Sequence, residues 1–480
     1  MKQKSLKLNY ILNLIKTVLG IIFPLISYPY VSRVLSVDGL GKINFSSSYA
    51  NYFILLAAFG VSTFAVREGA KYRDDSEKLG KFATEMLLIN IGTALISLLV
   101  MGVTLFLPAL HIYQEIIVVF SLSIIFNTFG MEWYFQLNEE YQYITIRAIV
   151  FQILSIIAMF IFVKTREDVL VYACITVCAN VGAQILNIFK IRHEIRLFNY
   201  NSYDLKKYIK PMTYIFLTLL VMNFYRYIDV TFLGFLKTDR SVGYYSLATK
   251  VTNILSSMVS SITVIITPRL AYYHGKGNKK EFFDLAYLSF DFSLLLAIPL
   301  SIAVVLLSPT LVAFLGGDAY LPSIDAVRLV SPAILISPLN ALLITPILTV
   351  MNKEKEVLKL FIIALIFNMI SNTIVINIFD FYGAAVITVF TELLICLGAL
   401  FICNKYFDIK PFFSNVKDYI FGSIGIMICY FIVSHYITSQ FLLFIVVTVL
   451  GILIYFIILF LLKNKLAWQG LSLIKERIGG

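Results

Sequence analysis

The chain has 480 residues, of which 59% are hydrophobic and only 14% are charged, and its mean hydropathy is +0.86. A water-soluble protein carries about a quarter charged residues, so this composition excludes a soluble globular fold and indicates a protein that uses the lipid bilayer as solvent. The net charge of +11 does not indicate nucleic-acid binding, because nearly all Lys and Arg residues lie in short segments between apolar runs.

Apolar runs of about 20 residues recur along the chain, each long enough to cross a hydrocarbon core of about 30 Å. Only helices and closed barrels satisfy every backbone group in lipid, and these runs lack the alternation of barrel strands. The sequence therefore predicts an all-α membrane protein with about 14 transmembrane helices. In chain order they span residues 9–31, 41–65, 82–106, 113–135, 144–163, 169–190, 211–236, 243–267, 283–307, 327–350, 357–378, 383–404, 417–437 and 440–462.

The distribution of basic residues predicts the orientation of these helices. With the N-terminus inside, about 29 Lys and Arg residues fall in the cytoplasmic connectors and termini, and six fall in the external connectors. This count assigns Arg147 to a cytoplasmic connector. The bias follows the positive-inside rule and agrees with an even number of spans, so both termini are predicted to be cytoplasmic.

The longest polar connector, residues 191–210, separates an N-terminal bundle of six helices, residues 1–190, from the rest of the chain. A weak internal repeat crosses this division. Gly41 precedes Arg67 by 26 residues, and Gly243 precedes Arg269 by the same distance. The helices that begin at Gly41 and Gly243 are the second and the eighth, so both pairs run in the same direction across the membrane. This predicts a parallel repeat of the kind found in some transporters.

Motifs for catalysis, nucleotide hydrolysis and metal binding are missing from the sequence. It contains no phosphate-binding loop, no HExxH motif and no CxxC pair. All five cysteines lie in apolar runs and an odd number suits no disulfide framework. The external connectors are too short for the catalytic cluster of a membrane glycosyltransferase or polymerase. We therefore expect no catalytic residues, no metal and no cofactor.

Ionisable residues inside the predicted spans are the candidate functional residues, since each costs about 2.5–3.5 kcal/mol on insertion scales and usually faces a cavity or a partner. Arg226 and Asp229 lie three apart on one helix and could neutralise each other. Lys250 has no partner nearby in the sequence. The residues inside spans are Lys16, Arg226, Asp229, Lys250, Asp291 and Glu392, and Arg33 follows the outer end of the first predicted helix. Amide stripes such as Asn180, Gln184 and Asn187 are either interhelical contacts or the wall of a wet cavity.

Several short motifs resemble one transporter family. They are PYVSRVL at residues 29–35 followed by GLG at 39–41, RE at 67–68, YID at 227–229, and VGYY at 242–245 leading to Lys250. Their order and spacing resemble those of Wzx-type polysaccharide-biosynthesis flippases, within the multidrug/oligosaccharidyl-lipid/polysaccharide exporter superfamily. The resemblance covers the whole chain.

The resemblance implies two pseudo-symmetric six-helix bundles around a cleft, the second at residues 211–404, with helices 13 and 14 and a tail at 405–480. It implies a bacterial inner-membrane protein that flips an undecaprenyl-pyrophosphate-linked oligosaccharide, the repeat unit of O-antigen or capsule. Membrane lipids, a polysaccharide polymerase and glycosyltransferases are the other implied partners.

The resemblance also assigns roles to the charged residues. Cleft helices would carry a cationic substrate site of Lys16, Arg33, Arg226 and Lys250. Such a site suits a pyrophosphate head, which must cross a low-dielectric barrier. Coupling to an ion would involve Asp229, Asp291 or Glu392. The alternatives are a cation-coupled multidrug exporter or a lipid II flippase of the same superfamily, and, in a different class, a membrane glycosyltransferase or polymerase.

Overall fold

The computed structural model describes residue 20, residues 23–200 and residues 202–469. Every regular element in these ranges is a helix, which confirms the all-α membrane fold. Twelve helical segments of the described chain are long and apolar enough to cross a membrane. One of them, Glu354–Asn404, contains a non-helical residue, Asp380, at φ 55° and ψ −139°. With 51 residues at about 1.5 Å each it is too long for one span, and it corresponds to the two helices predicted at 357–378 and 383–404.

The contacts divide the chain into two compact units, of which the first ends at Gly243 and the second begins at Tyr244. The helix Asp239–Gly275 starts in the first unit and continues into the second. The other described helices of the first unit are 23–34, Ser36–Ala58, Val61–Gly69, Ser76–Thr104, Gln114–Gly130, Glu132–Leu137, Tyr141–Phe162, Val169–Glu194 and Lys206–Leu236.

The second unit contains fewer but longer helices. Those of eight residues or more are Lys279–Gly316, Ser323–Val330, Ala333–Leu342 with a π-helical continuation at Leu343–Thr349, Glu354–Asn404, Val416–Tyr436 and Gln440–Leu461. Most of the first predicted helix lies outside the described residues, so the total of 14 stays a prediction. The domain boundaries expected at 190, 210 and 404 also stay predictions.

Two predicted helices of the first unit are each broken in the structure. The span expected at 41–65 is interrupted by Phe59 and Gly60, both at positive φ, between Ser36–Ala58 and Val61–Gly69. The span expected at 113–135 ends at Gly130, because Met131 has a φ of 42° and a short helix, Glu132–Leu137, follows it. A positive φ at a residue other than glycine is uncommon, and the sequence gives no sign of it at Phe59 or Met131.

A buried carboxylate attaches the long connector to the first unit. Glu85, which is 1% exposed, accepts hydrogen bonds from the Tyr208 hydroxyl at 3.0 Å and from the Asp204 backbone N–H at 3.0 Å. The rings of Phe64 and Phe82 each pack against Tyr208 with centroids 5.7 Å apart. These contacts hold the start of helix Lys206–Leu236 in the first unit.

The internal repeat appears in the structure as a reciprocal close approach. A Cβ atom added to Gly41 would lie 1.8 Å from the carbonyl oxygen of Asp239, and one added to Gly243 would lie 2.4 Å from that of Val37. Gly41 and Gly243 are separated by the same number of residues as Val37 and Asp239. Each glycine therefore admits the backbone at the equivalent position of the other repeat, as small residues do in membrane helix packing.

The core of the second unit includes a polar contact between the two halves of Glu354–Asn404. Asn368 donates to the Thr391 hydroxyl at 3.1 Å, and Asn372 donates to the Asn368 side chain at 2.9 Å. A Cβ added to Gly383 would lie 2.6 Å from the carbonyl oxygen of Val375. The chain reverses at Asp380, and the two halves pack closely.

Candidate functional site

The predicted cationic residues of the first unit lie in different surroundings. Lys16 is outside the described residues. Arg33 is exposed near the end of helix 23–34, where its Nη1 donates to the Pro29 carbonyl oxygen at 2.5 Å. Arg226 is exposed in the middle of helix Lys206–Leu236 and forms no ion pair with any described residue. Asp229, one turn later, is 5% exposed, so the two members of the expected local pair occupy different environments.

Aromatic side chains next to Arg226 fix the orientation of its helix. The Tyr52 ring packs against Phe224 with centroids 4.4 Å apart, and the Tyr52 hydroxyl hydrogen-bonds the Thr231 hydroxyl at 3.1 Å. Asn223, one turn before Arg226, donates to the Leu219 carbonyl oxygen of its own helix at 2.8 Å. The Tyr52 contacts attach one face of the helix to helix Ser36–Ala58, and Arg226 is exposed.

Lys250 occupies a comparable place in the second unit. It is half-buried in helix Asp239–Gly275, and within the described ranges it has no ion-pair partner. Asn253 and Ser257 follow it at helical spacing and are exposed. The result is a polar stripe, Lys250–Asn253–Ser257, on a face that the second unit itself does not cover.

The composition of these two helices distinguishes their uncovered faces from lipid-facing ones. The least buried of the described spans are Lys206–Leu236, Asp239–Gly275 and Gln440–Leu461. In an apolar stretch of 18 residues from each helix, 17%, 22% and 22% of the stretch is buried. The mean hydropathies of these stretches are 1.3, 1.5 and 3.2. A helix that faces acyl chains should be strongly apolar, because lipid cannot solvate polar groups. Only Gln440–Leu461 meets this requirement, so the two cation-bearing helices suit more polar surroundings.

The acidic residues expected to couple an ion are all partnered in the structure. The Asp291 carboxylate accepts hydrogen bonds from the Tyr419 hydroxyl at 2.7 Å and from the Asn415 amide at 2.8 Å. Glu392 accepts from the Asn340 amide at 2.6 Å, and Asp229 also has a partner. Asp291 and Glu392 thereby join helices within the second unit, and ion coupling through any of the three remains a prediction.

Sequence reasoning missed a buried ionic cluster in the first unit. Arg147, assigned above to a connector, lies inside helix Tyr141–Phe162 and is 5% exposed. Its guanidinium forms an ion pair with Glu132 and donates to the Ala183 carbonyl oxygen at 3.0 Å. Gln184 donates to the same Glu132 carboxylate at 2.8 Å. The assignment to a connector was therefore wrong, because the helix begins at Tyr141, two turns before the arginine.

One signal in the sequence could have located this cluster. The stripe of Asn180, Gln184 and Asn187 was left open between interhelical contact and cavity wall, and the structure contains both. Asn187 donates to the Gly130 carbonyl oxygen and to Gln184, each at 2.8 Å, whereas Asn180 lines a cavity. In the described part of the chain no group of His, Cys, Asp and Glu side chains could hold a metal ion.

Comparison with known proteins gives the family. The sequence matches the family described as "Polysaccharide biosynthesis protein" over residues 6–274, which is more than half of the chain. The chain belongs to the polysaccharide biosynthesis protein family. The MatE family matches over residues 215–378, which agrees with the superfamily that the sequence motifs resembled.

Individual relatives are distant in sequence, and two of them cover most of this chain. A protein of Escherichia coli (strain K12) named "Putative O-antigen transporter" is 25% identical over 395 residues, which are 80% of this chain and 93% of that protein. The solved structure "Lipid II flippase MurJ, inward closed conformation" matches with a TM-score of 0.73 at 17% identity, over 96% of this chain and 99% of that one.

A second solved structure has a similar fold. An inward-facing multidrug resistance MATE family transporter of the MOP superfamily has a TM-score of 0.62 at 13% identity, over 80% of this chain and 93% of that one. At these identities the likeness shows the fold alone. Fold, family and relatives together make this polysaccharide biosynthesis protein a multi-pass membrane transporter of the flippase type rather than an enzyme.

Proposed function

We propose that the protein flips an undecaprenyl-pyrophosphate-linked oligosaccharide repeat unit from the cytoplasmic to the outer leaflet of a bacterial inner membrane. The product would enter the assembly of a surface polysaccharide such as O-antigen or capsule. Family membership and the name of the Escherichia coli relative support this class of substrate. The observation that carries the proposal is the pair of poorly buried, weakly apolar helices that hold Arg226 and Lys250 without carboxylate partners among the described residues.

The chemistry of the substrate head explains why such cations are needed. A pyrophosphate diester bears about two negative charges, and an unpaired charge in a low-dielectric medium is costly. Guanidinium and ammonium groups compensate phosphate oxygens by charge-assisted hydrogen bonds. We propose that Arg226 and Lys250, together with Arg33 and Lys16, make these contacts successively as the head crosses the membrane.

The direction of transport follows from the membrane potential. The inside-negative potential drives an anionic head outward by about 2.3 kcal/mol per charge per 100 mV. The positive-inside bias favours an orientation with both termini in the cytoplasm. Transport could then proceed without ATP hydrolysis. A reporter that is active only in the cytoplasm, fused after Gly480, tests the orientation, and an inactive but membrane-inserted fusion would contradict it.

Charge-neutralising substitutions test the function in cells. In a strain whose surface glycan depends on this protein, we expect Arg226→Gln and Lys250→Gln each to reduce glycan display about tenfold or more, because each removes a charge-assisted contact worth about 1.5–3 kcal/mol. Display is measured by labelling the glycan on intact cells, and protein yield is measured in isolated membranes.

The matched control is Lys359→Gln, since Lys359 is an exposed lysine in the first turns of a spanning helix, Glu354–Asn404. It should leave display unchanged. Wild-type display from both Arg226→Gln and Lys250→Gln would overturn the cationic site. Wild-type display after deletion of the whole gene would overturn the proposed function.

The structural likeness to a MATE transporter favours one alternative, export of drugs coupled to a cation. That activity would raise the resistance of cells to organic cations and would be lost on substitution of Asp229, Asp291 or Glu392. Lipid II transport is the other alternative, and it predicts that deletion is lethal. Viable cells that lose one surface polymer and keep their drug resistance support the oligosaccharide substrate.

A further inference from the structure

The first unit has an open polar cavity of about 420 Å³, and its lining includes none of the cations proposed to hold the charged head. It is bordered by helix Val61–Gly69, the segment around Glu132, helix Tyr141–Phe162 and helix Val169–Glu194. Its volume falls within the range of about 300–1,000 Å³ that is typical of small-ligand sites. A cavity of this size admits one or two sugar rings.

Irregular backbone builds the cavity. Positive φ at Met131 turns the chain between two helices and directs Glu132 into the wall. The segment Cys178–Gly182 is a π-helix, and Asn180 within it also lines the wall. Single π-helical turns are rare and are frequent at functional sites. Two departures from regular helix around one cavity therefore indicate a site rather than a packing fault.

Five neutral polar side chains in the wall are available to a ligand. They are Ser62, Asn127, Gln136, Gln152 and Asn180. Throughout the part of the chain that the structure describes, none of the five hydrogen-bonds another protein group. By contrast, Gln184 and Asn187 in the adjacent cluster are bonded to protein groups. Ser62, Asn127 and Asn180 are exposed and Gln136 and Gln152 are half-buried, so water or a ligand can reach all five groups.

The charge of the cavity selects the class of ligand. Its two ionisable lining residues, Glu132 and Arg147, neutralise each other in an ion pair in which the arginine is buried and the glutamate is half-buried. A site with no net charge is unsuited to a phosphate or a cation. Carboxamides offer both donors and acceptors, which is the combination that a ring of hydroxyl groups requires.

We propose that this cavity binds a neutral sugar residue of the oligosaccharide and so contributes to the choice of repeat unit. The proposal rests on the proposed function. Gln136 lies near the end of a helix that the proposed orientation places on the cytoplasmic side, where the substrate is loaded, and Gln152 lies near the middle of helix Tyr141–Phe162. The cations would hold the pyrophosphate, and this cavity would read the glycan.

Substitution of the unbonded amides tests the cavity without a change in the fold. Because Asn127, Gln152 and Asn180 bond no described protein group, their triple replacement by Ala removes no partner from the protein and should preserve membrane yield and thermal stability. Binding is measured on the purified full chain by saturation-transfer NMR with the methyl glycosides of glucose, galactose and N-acetylglucosamine. We expect saturable binding of at least one glycoside and a loss of about tenfold or more in the triple variant.

A second variant and a control separate cavity binding from surface effects. Ala148→Leu adds bulk to the wall and leaves the five polar groups in place, and it should weaken binding of the same glycoside. Asn377→Ala removes an exposed asparagine that bonds the Thr373 carbonyl oxygen of its own helix, and it should bind normally. Equal binding by the native protein and the triple variant, or no binding by the native protein, would overturn the proposal.

The outcome is distinguishable from failure of the proposed function. If the triple variant displays wild-type surface glycan while Lys250→Gln does not, the cavity has no role in substrate choice and the flippase assignment stands. If deletion of the gene leaves display intact, the flippase assignment fails regardless of what the cavity binds. Reduced display from the triple variant, with normal protein yield, supports both.

Discussion

Gly41 shows how a single residue type permits a close backbone contact in the first unit. Its Cα faces the carbonyl oxygen of Asp239, and an added Cβ would lie 1.8 Å from that oxygen. The neighbour is backbone, so no side-chain rotation can relieve the overlap. The sequence repeat pointed to this position, because Gly41 and Gly243 stand at the same distance from Arg67 and Arg269.

Gly41→Ala should therefore prevent normal folding of the first unit. We expect a membrane yield well below that of wild type, or a melting temperature lowered by several degrees in detergent, since overpacking costs about 1–3 kcal/mol or more. The control is Gly102→Ala, because a Cβ at Gly102 meets no atom within 4 Å. That change should be neutral or slightly stabilising in a helix, and equal behaviour of both variants would contradict the proposed contact.

Individual charges were the least predictable feature at this scale. The sequence identified Arg226, Lys250, Asp229, Asp291 and Glu392 as residues inside spans, and the structure places all five in helices. The sequence alone could not show that Asp291 and Glu392 have hydrogen-bond partners or that Arg147 is buried. Those properties depend on Tyr419, Asn340 and Glu132, which are distant in sequence and are brought close only by tertiary packing.

At the scale of elements, spans were predictable and their interruptions were not. Hydropathy identifies a run that can cross lipid, because the free energy of transfer sums over about 20 residues. The breaks at Phe59–Gly60 and Met131 and the π-helices at Cys178–Gly182 and Leu343–Thr349 involve one or a few residues each. They contribute little to a hydropathy average, yet two of them shape the polar cavity.

The contact between helices Lys279–Gly316 and Val416–Tyr436 gives a prediction about Asp291. Tyr419, which is fully buried, donates to this carboxylate. Tyr419→Phe should lower the stability of the purified protein by about 1–2 kcal/mol, because it removes a hydrogen bond from a buried charged acceptor. Tyr436→Phe, at the exposed end of the same helix, serves as the control in thermal unfolding.

The same contact distinguishes packing from ion coupling. If Asp291 serves only to join the two helices, Asp291→Asn should reduce stability and leave the transport rate per folded molecule unchanged. A folded Asp291→Asn protein that has lost transport would instead support coupling at this carboxylate.

At the scale of the whole molecule, composition and motifs were enough to predict the membrane fold, the transporter class and the family. They were enough because a lipid environment imposes long apolar helices and a positive-inside bias on the entire sequence. What the substrate contacts was not predictable in the same way. A lysine such as Lys250 has the same identity whether it faces lipid headgroups, a carboxylate or a substrate, and only its surroundings distinguish these cases.

Transfer of the labelled substrate in proteoliposomes tests the central claim most directly. Purified protein is reconstituted with an undecaprenyl-pyrophosphate-linked oligosaccharide, and the fraction accessible to an added glycan-modifying enzyme is followed over time under an imposed membrane potential. We expect transfer that exceeds the rate in protein-free vesicles and increases with a potential that favours movement of an anion. The Arg226→Gln/Lys250→Gln protein should return to the protein-free rate. Native-like transfer by this double variant, or transfer unaffected by the potential, would contradict the account.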